Sequence, residues 1–253
     1  MEQITSRTNP LITQIRKLAG SKDFRRETGE MVCEGPKMLE EALHWGARIT
    51  AVLWDRAYSP TVRLAEKTRQ VSVPGDLLRS VALTQTPQKV LFLCRIPSLQ
   101  PPEHLIGSRY LVLDGMQDPG NVGTIWRTAD AFGADGIFLL PGCADPFGPK
   151  TVRATMGACF RFPVWETDLE TLRKLLHEAG LPLYGTALRA DTEDLRQAEL
   201  SRGAVAVGSE GRGISEQVLC ACEKTLKIPM RERCESLNAA AAAAVVLWEM
   251  YRR

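Results

Sequence analysis

A chain of 253 residues with 44% hydrophobic and 25% charged residues has an ordinary globular composition, with length enough for one sizeable domain or two smaller ones. The formal net charge of +2 gives no global sign of a nucleic-acid partner, so any basic surface has to be local. No apolar run approaches the ~20 residues of a membrane span, and Met1-Glu2-Gln3-Ile4-Thr5 lacks an apolar leader core, so a cytoplasmic protein with no membrane partner is the expectation.

In chain order, Leu11, Ile15 and Leu18 fall at helical spacing with cations opposite, and Phe24-Arg25-Arg26-Glu27 reads as a basic turn. A strand over 31–35 runs into Pro36, which suits the first turn of a helix over 37–45. A strand at 49–54, a helix over 61–67 and a strand at 70–73 complete a small α/β sandwich. Arg7, Arg16, Lys17, Lys22, Arg25 and Arg26 crowd one short stretch; a solvated helix face and a phosphate-contacting surface both account for them. The segment from Arg95 to Pro102, rich in proline, blocks helix and sheet hydrogen bonding. The expected division is a first domain over 1–98, a linker over 99–108 and a second domain over 109–253.

The second domain alternates regularly. Strands are expected at 110–113, 136–140, 183–186, 204–207 and 226–228, and helices near 122–132, 150–154, 169–178, 215–220 and 238–251. Short apolar strands alternating with helices imply an α/β fold whose parallel sheet is covered on both faces. The cysteines (Cys33, Cys94, Cys143, Cys159, Cys220, Cys222, Cys234) show no Cys-x-x-Cys spacing, and burial as small hydrophobes is their reading. The histidines (His44, His104, His177) stand far apart, so no metal site is expected.

Three segments stand out, each where a strand should end. In Asp118-Pro119-Gly120-Asn121-Val122-Gly123-Thr124-Ile125-Trp126-Arg127, a polar Asn121 and a long Arg127 occupy a helix that core packing should otherwise claim. They lie a little under two turns apart, so both are expected to point to the strand ends, the edge where open α/β sheets bind ligands. In Gly208-Ser209-Glu210-Gly211-Arg212-Gly213, glycines surround an acid. That acid and the missing Gly-Lys-Ser/Thr exclude a phosphate loop, and the spacing is not the dinucleotide fingerprint G-x-G-x-x-G. A neutral or cationic nucleoside suits it better; a plain tight turn also accounts for it. In Ile228-Pro229-Met230 through Ser236-Leu237-Asn238, Ser236 reads as a helix N-cap, with Asn238 in the first turn of an alanine-rich helix.

Together and in this order, these segments resemble the SpoU/TrmH family of RNA ribose 2′-O-methyltransferases within the knotted SPOUT superfamily. Ser6-Arg7-x-Asn9-Pro10-x-Ile12 and the later Glu34-Gly35 are similar to the family's RNA substrate-binding domain. The resemblance implies a C-terminal trefoil knot, a homodimer with its sites near the subunit interface, and S-adenosylmethionine as cofactor. By motif position it puts Thr186, Ala187, Leu188, Gly208, Glu210, Gly211, Ile228, Met230, Ser236 and Leu237 at the cofactor. Arg127 matches the arginine acting on the target ribose hydroxyl, with Asn121, Glu210, Ser236 and Asn238 as polar supporters. Arg7, Lys17, Arg25, Arg26, Lys150 and Arg153 are the expected RNA contacts. Two positions depart from the family pattern: Glu232 stands where many members have glycine, and Ala239 follows Asn238 where valine is usual. The expected activity is 2′-O-methylation of structured RNA, ribosomal by analogy, since the 2′-hydroxyl distinguishes RNA from DNA. Transfer RNA as substrate and a non-catalytic RNA-binding protein on the same fold are the alternatives; a nicotinamide enzyme lacks its fingerprint.

Overall fold

The computed structural model describes every residue except Thr61, Ala190, Asp191, Glu232, Cys234, Glu235 and Arg253. The family departure at Glu232, and Thr61 and Cys234 among the positions singled out above, therefore lie outside the described residues. The chain forms two compact units, Met1–Pro97 with Asp145–Arg161, and Ser98–Ala144 with Phe162–Arg253.

The first unit begins with β1 (Glu2–Gln3), α1 (Pro10–Gly20), α2 (Lys22–Thr28), β2 (Glu30–Glu34), α3 (Pro36–His44), β3 (Ile49–Asp55), β4 (Arg69–Val73), α4 (Gly75–Arg79) and β5 (Val90–Arg95). Its sheet runs β1-β4-β3-β5-β2, with β5 antiparallel to both neighbours. Asn9 starts α1 by accepting from Leu11 N–H at 2.9 Å, and Ile12, Ile15 and Leu18 press into a core with Val32, Leu53 and Leu91. The basic turn expected at 24–27 is instead α2: Ser21 caps its start and Gly29, at φ 63°, ends it. No helix forms over residues 62–67. Val62 and Leu64 stand two apart rather than three or four, so a short helix there would have no apolar stripe to bury.

The second unit carries β6 (Arg109–Asp114), α5 (Pro119–Ala131) and β7 (Gly136–Leu139); α6 (Pro149–Thr155) belongs to the first unit. The second unit then resumes with β8 (Val164–Glu166), α7 (Leu169–Glu178), β9 (Leu183–Thr186), β10 (Glu193–Asp194), β11 (Gly203–Gly208), α8 (Glu216–Ala221), β12 (Lys224–Lys227) and α9 (Ala239–Tyr251). Every strand pair in the sheet β10-β12-β9-β11-β6-β7-β8 is parallel. Burial on both faces is why β6, β7 and β11 read as unbroken apolar runs. Because the strands are parallel and adjacent, the loops leaving Asp114, Thr186, Gly208 and Lys227 all emerge at one edge. The short β8 is not among the expected strands; its Trp165 lies so close over Gly136 that a Cβ there would stand 2.2 Å from the ring.

Residues 99–108 are not a free connector, since Leu99 C=O accepts from Glu166 N–H at 2.8 Å and Ile106 C=O from Tyr110 Oη at 2.8 Å. The expectation that residues 145–161 pack with the second domain is also corrected. Asp145 takes two hydrogen bonds from Arg25, at 2.8 and 2.6 Å, and Arg161 pairs with Glu41 at 2.8 Å. Arg25 is buried, 6% exposed, and also donates to Leu18 C=O, so it is a structural tie and not the RNA contact read from the sequence. Removing one member of a buried pair strands the other charge. Arg25→Ala is therefore expected to cost about 3–5 kcal/mol of stability, read as a lowered denaturation midpoint; a variant as stable as wild type would show that the pair contributes nothing.

Candidate functional site

At the shared strand edge lies a cavity of about 320 Å³. Three loops wall it: Thr186, Ala187 and Leu188 after β9; Gly208, Ser209, Glu210 and Gly213 after β11; Ile228, Met230, Ser236 and Leu237 after β12. Val207, Leu226, Lys227, Ala239 and Ala242 close the remainder. Of the residues expected at a cofactor, all but Gly211 border this one space. Gly213, at φ 67°, stands in the wall instead.

The Gly208 loop is built by close backbone approach. Gly213 N–H donates to Ser209 C=O at 2.8 Å, folding the turn back on itself. A Cβ on Gly208 would stand 1.9 Å from the carbonyl carbon of Gly213, so no other residue fits. Asp114, which sequence reasoning passed over, ties down the far end of the turn. It pairs with Gly208 in the parallel ladder, and its carboxylate accepts from Ser215 N–H at 2.6 Å. Both ends of the 208–215 turn thus return to one residue of β6. The only available signal was an acid at the end of an apolar strand.

Glu210 is the node. Its Oε1 accepts from Asn121 Nδ2 at 2.9 Å, from Asn238 Nδ2, and from Ala239 N–H at 3.3 Å. Asn238 Nδ2 also donates to Asn121 Oδ1 at 3.2 Å. Asn238, not Ser236, caps α9: its Oδ1 accepts from the N–H groups of Ala240 and Ala241. One amide therefore starts the helix with its oxygen and holds the acid with its nitrogen, a division that an ionised Asp cannot make. Ser236 is left exposed at the cavity wall. Glu210 stands at the N-terminus of α9, where free N–H groups and the helix dipole favour a carboxylate.

Asn121 sits in the first turn of α5, behind the cap that Asp118 makes to Gly120 and Asn121 N–H. Arg127, on the same helix, is exposed; it does not border the cavity and, among the described residues, makes no hydrogen bond or ion pair. The shared direction expected for Asn121 and Arg127 is thus found for Asn121 alone. Thr186 Oγ1 is occupied by Ala206 C=O at 3.0 Å. Burial pushes the thiols of Cys143 to about 11 and Cys222 to about 12, so neither is a thiolate nucleophile at neutral pH. Cys220, expected to be buried, is exposed. Among the described residues no His, Cys, Asp and Glu group could hold a metal ion.

The SpoU rRNA Methylase family pattern matches residues 108–248, and that of the MRM3-like substrate binding domain matches residues 9–91. The chain belongs to the SpoU rRNA methylase family. It is 34% identical to the 23S rRNA (guanosine(2553)-2′-O)-methyltransferase RlmP of Bacillus subtilis over 99% of both chains. It is 29% identical to the 23S rRNA (uridine(2479)-2′-O)-methyltransferase of Streptomyces viridochromogenes, over 99% of this chain and 92% of that one. The AdoMet-bound rRNA methyltransferase of Sinorhizobium meliloti superposes with a TM-score of 0.88 at 32% identity, covering 99% of this chain and 97% of that one.

In this SpoU chain the Asn238–Glu210 contact yields a stability prediction. Asn238→Asp keeps a cap oxygen but turns the donor into a second carboxylate facing Glu210, so the variant should melt below wild type. Melting curves of the two proteins check it; equal midpoints would show that the two groups do not interact.

Proposed function

We propose that this chain transfers a methyl group from S-adenosylmethionine to a ribose 2′-hydroxyl of ribosomal RNA. One observation carries the reading: Glu210 borders the cavity and is held by Asn121, so the cavity is tied to the helix that bears Arg127. The names of the full-length relatives, 23S rRNA 2′-O-methyltransferases, support the reaction and the RNA.

The residues present suit such a cofactor. The volume falls within the ~300–1,000 Å³ of small-molecule sites, and Leu188, Leu226, Ile228, Met230 and Leu237 offer apolar walls for a flat purine. The Glu210 carboxylate at the wall favours a cation over a phosphate. Thr186, Ala187, Leu188, Gly208, Glu210, Ile228, Met230, Ser236 and Leu237 would hold the group, with Gly211 shaping the turn. When bound, S-adenosylmethionine supplies an electrophilic methyl on its sulfonium.

The chain's own residues then have a positioning and charge role. A ribose hydroxyl is a poor acid, and charge builds on its oxygen as its proton leaves. The Arg127 guanidinium offers donors and no acceptor; its fixed positive charge stabilises that oxygen or grips the neighbouring phosphate. Asn121 and Asn238 hold Glu210, and Ser236 presents a hydroxyl to the cavity. Arg7, Lys17, Arg26, Lys150 and Arg153 are exposed and contact RNA phosphates.

Three further assignments belong to this reading. The first is a trefoil knot in the C-terminal part, supported by β11 entering between β6 and β9 and by α9 returning against α5. The second is a homodimer, supported by Val245, Trp248 and Tyr251, which are 39%, 52% and 54% exposed. Trp248 and Tyr251 pack with Phe132 into one aromatic ridge, a large apolar surface for a monomer to leave wet. Arg127 lies on the exposed stripe of α5 with Thr124 and Ala131, five residues before Phe132. The third is a cytoplasmic location, supported by the lack, among the described residues, of any helix long and apolar enough to cross a membrane.

Calorimetry should find S-adenosylmethionine binding and no binding of nicotinamide dinucleotides; the opposite result ends the methyltransferase reading. Arg127→Lys should lower turnover at saturating RNA about 10²-fold or more while leaving cofactor affinity unchanged. Wild-type turnover in that variant would remove Arg127 from the mechanism. Trp248→Glu should shift the sedimenting species from dimer to monomer; a wild-type protein that already sediments as a monomer refutes the dimer.

A further inference from the structure

A polar loop on the first unit, residues 83–89 (Leu83-Thr84-Gln85-Thr86-Pro87-Gln88-Lys89), is held far more firmly than an exposed connector needs. Glu34, half-buried at the end of β2, spends its carboxylate on this loop alone: it accepts from Leu83 N–H at 2.6 Å, Thr84 Oγ1 at 2.9 Å and Gln88 N–H at 2.7 Å. Thr84 Oγ1 also donates to Thr86 C=O at 2.9 Å, and Gly35 N–H to Val90 C=O at 2.9 Å. Gly35 takes φ +108° beneath the Gln88 side chain. These bonds hold the loop at Leu83, Thr84 and Gln88. Gln85, Thr86 and Gln88 are exposed, and among the described residues the Gln85 and Gln88 amides and the Thr86 hydroxyl make no hydrogen bond.

The surround is cationic. Arg153 of α6, exposed, donates to Leu83 C=O at 3.4 Å. Lys89 ends the loop, near Asp55 at 3.8 Å, and exposed Lys37 follows Gly35 by two residues. The carboxylates of Glu34 and Asp55 are both engaged by the loop.

We propose that loop 83–89 reads the base edges of unpaired RNA nucleotides, with Gln85 and Thr86 as the reading side chains and Glu34 as the positioning residue. The proposal rests on the RNA-substrate reading above. Amide side chains offer a donor and an acceptor together, the pattern that discriminates base edges. Sequence-specific RNA recognition targets bases splayed out of pairing, hydrogen-bonded on their edges and flanked by guanidinium groups. A loop ordered before binding loses little conformational freedom on contact, which gives the Glu34 carboxylate a purpose beyond local folding.

The test uses the full-length protein, an unmodified 23S rRNA transcript and poly(U). Gln85→Ala/Thr86→Ala should weaken transcript binding by about tenfold or more, raise the transcript KM with little change in kcat, and leave poly(U) binding, S-adenosylmethionine binding and melting temperature unchanged. Glu34→Gln, which leaves both reading side chains in place, should act in the same direction on the transcript by loosening the loop. Unchanged transcript affinity overturns the proposal. So does an equal loss on poly(U), which would mean contact by charge alone, and so does a wild-type protein that binds both RNAs equally. Methyl transfer, read separately by isotope incorporation into the transcript, stands or falls without reference to these variants; its absence in wild type would instead overturn the parent reading.

Discussion

Three hydrogen-bond donors from two distant parts of the chain converge on one oxygen, Glu210 Oε1. The carboxylate is exposed, so Asn121, Asn238 and the first N–H of α9 give it a fixed position. That convergence sets the loop after β11, the first turn of α5 and the start of α9 in one geometry. Without it the strand edge would present separate loops; with it, one cavity forms whose charged member has a fixed place.

The convergence needs the backbone below it to be unusually tight. The turn after β11 doubles back so closely that only a hydrogen fits at position 208, and Asp114 anchors it from the neighbouring strand. Parallel strands contribute by bringing four loops to one edge, which an antiparallel arrangement would distribute between two. The core beneath is ordinary: apolar side chains such as Tyr110, Val112, Phe138 and Ala206, buried on a sheet covered on both sides. The unusual features are confined to the edge, where ligands bind in open α/β sheets.

Charge follows a similar economy in the first unit. Arg25, which looks from sequence like one more cation on a basic stretch, is turned inward to Asp145, whereas Lys17 stays exposed with its ammonium over the Phe24 ring. Glu34 turns toward a loop rather than toward solvent. Arg25 and Glu34 each fix a segment far away in sequence.

Local sequence was sufficient for much of this. Apolar runs marked β6, β7, β9 and β11, and α7 follows its expected 169–178 span, because strand and helix periods are written in neighbouring residues. Gly208 and Gly213 around Glu210 and the Ser236-Leu237 pair border the cavity, and the close backbone approach at Gly208 selects glycine locally. Long-range events were decided elsewhere. Which residue caps α9, that Arg25 is buried, that residues 145–161 pack into the first unit, and that Asp114 anchors a turn one hundred residues away all depend on partners that sequence distance hides. Residue type and spacing determine what a segment can form alone; which buried charges and amides find one another is settled only when the whole chain has packed.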